Sequence, residues 1–171
     1  MSKEVKGNIL KEARILEALK DHPNFPEFLG TCYHSGFTHI VMHFERSGNA
    51  LEYLSSKHRQ LRENHMLFLA RGVVQALQAL HNEGIAHRDV TADNVLVHID
   101  KLNKVVGILA DLGNAIPWEW DWSGSHQAHA LYEPPELISS LEHKMFPEGL
   151  PPVIDMRPAD VFQFGVTLWE M

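Results

Sequence analysis

Two short β-rich runs, Val95–Ile99 and Val105–Leu109, constrain the fold of this chain most, because the loops on either side of them are crowded with oxygen-bearing side chains. The runs are separated by the polar turn Asp100-Lys-Leu-Asn-Lys104, which is the pattern of a hairpin. The loop entering it reads His87-Arg88-Asp89-Val90-Thr91-Ala92-Asp93-Asn94, and the loop leaving it begins Asp111-Leu112-Gly113. Whatever chemistry the chain performs is expected in those two loops.

The rest of the chain arranges itself around that hairpin. Residues 8–20 space Ile9, Ala13, Leu16 and Leu19 at a helical period, with Leu10 and Ile15 widening the stripe. His22-Pro-Asn-Phe-Pro26 stops this helix, and two apolar stretches, 28–33 and 39–44, flank the turn-prone Ser35-Gly36 as an antiparallel pair. A second helix is predicted over 64–82, with Met66, Ala70, Val73, Leu77 and Leu80 on one face and Gly84 as its stop. In 160–171 the residues Val161, Phe162, Phe164, Val166, Leu168 and Trp169 leave nearly every side apolar, which predicts a helix buried all round, with its covering outside the chain. The Pro-rich stretch 146–152 reads as a loop within one domain.

At 171 residues, 44% hydrophobic and 22% charged, the chain is long enough for one domain with a sizeable core. Its net charge of −7 argues against a general nucleic-acid binder, so no DNA or RNA partner is expected. Cys32 is the single cysteine, which rules out an internal disulfide and suits a reducing compartment, cytoplasm or nucleus. No stretch approaches the roughly 18 apolar residues of a membrane span. The histidine sets His34/His39/His43 and His126/His129 lack cysteine support and helix-face spacing, so no zinc site is expected.

Phosphoryl transfer from ATP needs oxygen ligands to hold Mg²⁺ and a carboxylate facing the attacking hydroxyl. The loop His87 to Asn94 resembles the catalytic loop of eukaryotic-type protein kinases, and Asp111-Leu112-Gly113 resembles that family's metal-binding Asp-Phe-Gly, with Leu in place of Phe. Pro134-Pro135-Glu136 resembles the Ala-Pro-Glu that closes the activation segment, and 160–171 resembles the central helix of the C-lobe. Upstream, Lys11-Glu12-Ala-Arg-Ile-Leu16 is similar to the helix whose Glu pairs with the phosphate-binding Lys, and 40–45 to the last strand and hinge. Any one tripeptide arises by chance; the order of all of them carries the resemblance.

The resemblance implies an α+β, two-lobed protein kinase fold truncated at both ends, with 1–45 as a partial N-lobe and 46–171 as a partial C-lobe. Eleven residues before Glu12 leave no room for the family's Gly-rich loop and strand-borne Lys. It implies ATP and Mg²⁺ as cofactors and a protein substrate. Asp89 would orient the substrate hydroxyl and accept its proton, while Asn94 and Asp111 would hold Mg²⁺. Glu12 would be the ion-pair partner of the Lys. Met42 would be the gatekeeper, His43, Phe44 and Glu45 would face adenine from the hinge, and Leu96 would pack under the base. His87, Leu112, Leu16 and Phe28 would form a hydrophobic column between the lobes. Arg88 implies control by phosphorylation of the activation segment, with Ser123, Ser125 and Tyr132 as candidate sites and a regulatory protein as a candidate partner there.

Each residue also has a plainer reading. Isolated Asp, Asn and Glu side chains are usually caps or turn residues, and Glu12 could be a solvated helix-face charge. Trp118, Trp120 and Trp122 would share one face of a short strand as a docking platform, or simply pack the segment onto the C-lobe. Thr91 stands where Ser/Thr kinases usually carry Lys and many tyrosine kinases Ala or Arg; Asp93 resembles the acidic residue of the Ser/Thr pattern, whereas Phe164 to Glu170 is phrased like tyrosine kinases. Residues 148–154 read as an insertion. Two other classes compete with the kinase reading: a catalytically inactive pseudokinase scaffold, and a small-molecule phosphotransferase with a kinase-like core.

Overall fold

The structure is a computed structural model that describes residues 3–121, 132–135, 137 and 153–171. In chain order the described elements are α1 (Lys3–Ala18), β1 (Phe28–His34), β2 (Phe37–Met42), α2 (Ala50–Ser55), α3 (Arg59–Asn82), β3 (Ile85–Ala86), β4 (Val95–Ile99), β5 (Val105–Leu109), β6 (Ile116–Pro117), β7 (Glu119–Asp121), β8 (Val153–Asp155) and α4 (Arg157–Glu170). The strands form antiparallel pairs, β1–β2, β3–β6, β4–β5 and β7–β8, interleaved with separate helices, which is an α+β arrangement.

Helix α1 begins before residue 8 and ends at Ala18, earlier than its periodicity predicts. It buries Ala13, Ile15 and Leu16, while Leu10 is half exposed and lies outside the stripe. Hairpin β1–β2 turns at Ser35 and Gly36, both at positive φ (51° and 86°), the left-handed pair that matches strand twist in a two-residue turn. Strand β2 stops at Met42, so His43, Phe44 and Glu45 lie in the connection beyond it. Helix α2 is too short to show a period in the sequence; Asn49 caps it, its Oδ1 accepting from the Glu52 N–H at 2.9 Å.

Helix α3 starts at Arg59, five residues ahead of its predicted start, because its first turn is polar and gives no periodic signal. Its inner face, Leu69, Val73, Ala76, Leu77 and Leu80, is the middle of the core. Full burial of each Leu or Val there is worth about 1.5–3 kcal/mol. The helix packs against β5 through two glycines. A Cβ on Gly72 would stand 2.4 Å from the Gly107 carbonyl oxygen, and one on Gly107 would stand 2.4 Å from that of Leu69.

Hairpin β4–β5 has the predicted bounds, with Val95 opposite Leu109 and Ile99 opposite Val105. Asp100 organises its turn, Oδ1 accepting from the N–H groups of Leu102 and Lys104 at 2.8 Å each. Val95, Val97 and Leu109 join α3 in the main core, together with Leu16, Val90 and Leu112.

Helix α4 is covered on one side only. Its buried residues include Asp160, Gln163 and Thr167, spaced three and four apart on one face, while Val161, Phe162 and Trp169 are exposed, Trp169 by 86%. Phe164 and Leu168 pack against the main core and Ala159 lies in a second cluster, so the helix turns a mixed face inward and leaves an apolar one outward.

Candidate active site

The loop between β3 and β4 is held from below by α4. The Asp160 carboxylate is fully buried and accepts the N–H groups of His87 (2.9 Å) and Arg88 (2.7 Å), while Nε2 of His81 lies 2.8 Å from the same carboxylate. One turn on, Gln163 accepts the Val90 N–H at 3.0 Å and donates to the Arg88 carbonyl at 3.1 Å. One further turn on, Thr167 Oγ1 donates to the Val90 carbonyl at 2.7 Å. These bonds occupy backbone groups that no sheet or helix satisfies, and Arg88 sits among them in the left-handed region at φ 68°. Asp160, Gln163 and Thr167 were not singled out from the sequence as site residues; their three-and-four spacing was visible, but nothing in it told what they would face.

His87 is fully buried and bridges the two loops. Its Nε2 donates to the Ala110 carbonyl at 3.0 Å and its Nδ1 accepts the Asp89 N–H at 3.2 Å, which fixes one neutral tautomer. Burial holds its pKa below the ordinary histidine range, against the attraction of the Asp160 carboxylate.

With the loops joined this way, Asp89, Asn94 and Asp111 come together at the base of hairpin β4–β5. The Ala110 N–H donates to the Asn94 carbonyl at 2.9 Å. The Asn94 side-chain NH₂ donates to the Asp89 carbonyl at 2.9 Å, leaving its Oδ1 unspent by that bond. Asn114 Nδ2 reaches Asp89 Oδ2 at 3.3 Å, a contact not anticipated from the sequence. Asp111 is exposed, at φ 61°, with Oδ1 accepting the Gly113 N–H at 3.2 Å. Oxygen donors from one amide and one carboxylate are the set that suits a hard divalent cation such as Mg²⁺.

Glu12 lies across from this group. A Cβ on Gly113 would stand 3.1 Å from Asp111 Oδ1 and 3.8 Å from Glu12 Oε2, so the two carboxylates share one neighbourhood. Burial, then the Asp111 charge, pushes the Glu12 carboxyl above the usual range; the Leu112 N–H and Lys11 pull the other way. Arg88 is held below its ordinary value by burial, with the carboxylates of Glu133 and Asp160 opposing. Arg88 thus meets two carboxylates of the chain itself, and the Lys11 ammonium also feels its charge.

The remaining candidates are placed as follows. Met42 ends β2, partly exposed, and Phe44 is 78% exposed. The Glu45 carboxylate turns inward to Nδ1 of His98 (2.9 Å) and Nδ1 of His43 (3.4 Å), so its side chain ties the connection to β4. Leu96 is half-buried, on the opposite side of β4 from Val95 and Val97, and bridges Asn49. Leu16 and Leu112 are buried in the main core and Phe28 packs against it. Tyr132 is buried with its hydroxyl bonded to Glu170; burial first, and then that bond, raise its pKa to about 12, so it is not presented for modification. Trp118 packs against a second core cluster, with the Arg157 guanidinium 4.0 Å above its ring. Ser123, Ser125, Trp122 and Glu136 lie outside the described residues. Among the described residues, no group of three or more His, Cys, Asp or Glu is placed to hold a metal, and no helix is long and apolar enough to cross a membrane.

The family model "Protein tyrosine and serine/threonine kinase" matches residues 1–171. The chain belongs to the protein kinase family. Among curated kinases it is 33% identical over 168 residues to human dual specificity testis-specific protein kinase 1, covering 97% of this chain and 25% of that protein. It is 34% identical over 166 residues to human dual specificity testis-specific protein kinase 2, covering 97% and 27%. It is 33% identical over 165 residues to tyrosine-protein kinase Abl of Drosophila melanogaster, covering 96% and 9%. The chain thus spans about a quarter of the testis-specific kinases and less than a tenth of Abl.

Proposed function

We propose that this chain carries the phosphotransfer centre of a protein kinase that moves the γ-phosphoryl group of ATP to protein hydroxyls. The observation behind the reading is the meeting of Asp89, Asn94 and Asp111 at the foot of one hairpin, with His87 bridging the loops. ATP with Mg²⁺, when bound, supplies the electrophilic phosphoryl group and the cation that neutralises its charge. Asn94 Oδ1 and the Asp111 carboxylate are the oxygens that would hold the cation. Asp89, steadied by Asn114, would orient the acceptor hydroxyl and take its proton.

Ser and Thr hydroxyls are proposed as acceptors, with Tyr as the alternative that the names of the relatives raise. Asp93 is the motif cue for that lean, and it accepts from the Asn49 side chain at 3.1 Å and so has a structural use as well. An intracellular setting is proposed on the single, exposed Cys32.

A second reading is a non-catalytic scaffold, in which the same fold serves to hold a partner protein. The two are separated by assaying the full-length protein with Mg-ATP on Ser, Thr and Tyr peptides, followed by phosphoamino-acid analysis. On the kinase reading phosphate appears on peptide, and Asp89→Asn and Asp111→Asn each lower kcat by at least about 100-fold with melting temperature retained. A folded wild-type protein that transfers no phosphate, or transfers it equally well with either variant, would establish the scaffold.

A further inference from the structure

One opening in the described structure lies away from the phosphotransfer loops. It is a groove of about 450 Å³ between α3 and the β4–β5 hairpin, behind the Gly72–Gly107 contact. His65, Phe68, Gly72 and Gln75 follow one another at helical spacing along its α3 side, with Arg71 beside them, and Lys104 to Val106 form the other.

Three observations bear on what it holds. The formal charges in its lining are Arg71 and Lys104; no Asp or Glu contributes, although the chain carries seven more acidic than basic residues. Both cations are exposed, and neither has a carboxylate within 4 Å among the described residues; Asp100, in the same turn as Lys104, spends Oδ1 on two backbone N–H groups and acts on Lys104 through space. Phe68 is 52% exposed between them, an aromatic face at the mouth of a basic groove. In the wall lies Asn24, 3% exposed: its Nδ2 donates to the Gly107 carbonyl at 2.8 Å, and its Oδ1 is the buried side-chain polar atom without a partner among the described residues.

We propose that this groove docks an acidic, extended peptide segment of a partner protein. Its Asp or Glu side chains would lie against Arg71 and Lys104, and an apolar side chain would cover Phe68. Charge complementarity selects the partner, and the exposed ring supplies the apolar contact. Asn24 also accepts the Leu109 N–H through its own carbonyl at 2.8 Å, so the docked segment rests on the strand that leads into Asp111. The site is separate from the phosphotransfer loops and needs no nucleotide.

The test is fluorescence anisotropy on the full-length protein, without nucleotide, using a labelled peptide of alternating Glu and Leu and its Lys and Leu counterpart. The wild type is expected to bind the Glu peptide at least roughly tenfold more tightly than the Lys peptide. The double reversal Arg71→Glu with Lys104→Glu, at two exposed positions, is expected to invert that order, and Phe68→Ala to weaken Glu-peptide binding with charge intact. Equal binding of the two peptides, no binding of either, or a reversal variant that keeps its preference for Glu would overturn the proposal.

Discussion

His87 shows how much one buried side chain can govern. Its two ring nitrogens are both committed, one as donor to Ala110 and one as acceptor from Asp89, so a second ring proton would face an N–H group in a site closed to water. The folded pKa is depressed. In the unfolded chain His87 titrates near 6.5, so below that pH the unfolded state takes up a proton that the folded state refuses. Stability from this residue is fully present above about pH 6.5 and falls with decreasing pH, by up to about 1.4 kcal/mol per unit. Urea melts at a series of pH values between 5.5 and 7.5 should show a steeper loss for the wild type than for His87→Phe; parallel curves would mean that the ring accepts its proton in place. The motif marks His87 in the sequence, but its tautomer depends on the Ala110 carbonyl and its silence as a charge on burial in the core, both set by groups distant along the chain.

At the scale of the element, α4 is the most instructive. Counting apolar residues along 160–171 predicts a helix buried on all sides, yet Asp160, Gln163 and Thr167 take the inner face. Loop 87–90 must place its backbone N–H and C=O groups against something, and in a dry interior only polar side chains serve. That requirement is non-local, so no window of sequence contains it. Hairpin β4–β5, by contrast, was legible to the residue, because its alternation and its Asp100 turn are both local. Asp160→Asn would keep the shape and replace one acceptor oxygen with an NH₂ facing N–H donors. We expect a loss of about 3 kcal/mol, roughly 10 °C in melting temperature, with kinase activity falling alongside it at permissive temperature. A variant that melts with the wild type would show that the carboxylate is dispensable for the loop.

For the molecule as a whole, the outer face of α4 sets the solution behaviour. Val161, Phe162, Gly165, Val166 and Trp169 line an open apolar patch. Prepared as these 171 residues, the chain is expected to self-associate and to bind hydrophobic dyes, and Trp169→Glu to lower both without lowering the melting temperature. Sedimentation velocity at increasing concentration checks this; a monomer at every concentration would contradict it. The two-lobed α+β architecture could be named from ordered motifs alone. The charged surroundings of Glu12 and Arg88 could not, since they arise where α1, the loop at Asp111 and Glu133 meet in space.

The glycine contact between α3 and β5 has a mechanical meaning. Elsewhere in a protein, side chains between a helix and a strand act as padding, and small displacements are absorbed by changes of rotamer. At Gly72 and Gly107 the padding is missing and one backbone bears directly on another. The joint behaves as a hard bearing: a push on the helix is handed to the strand undiminished, and four residues after Gly107 that strand delivers it to Asp111.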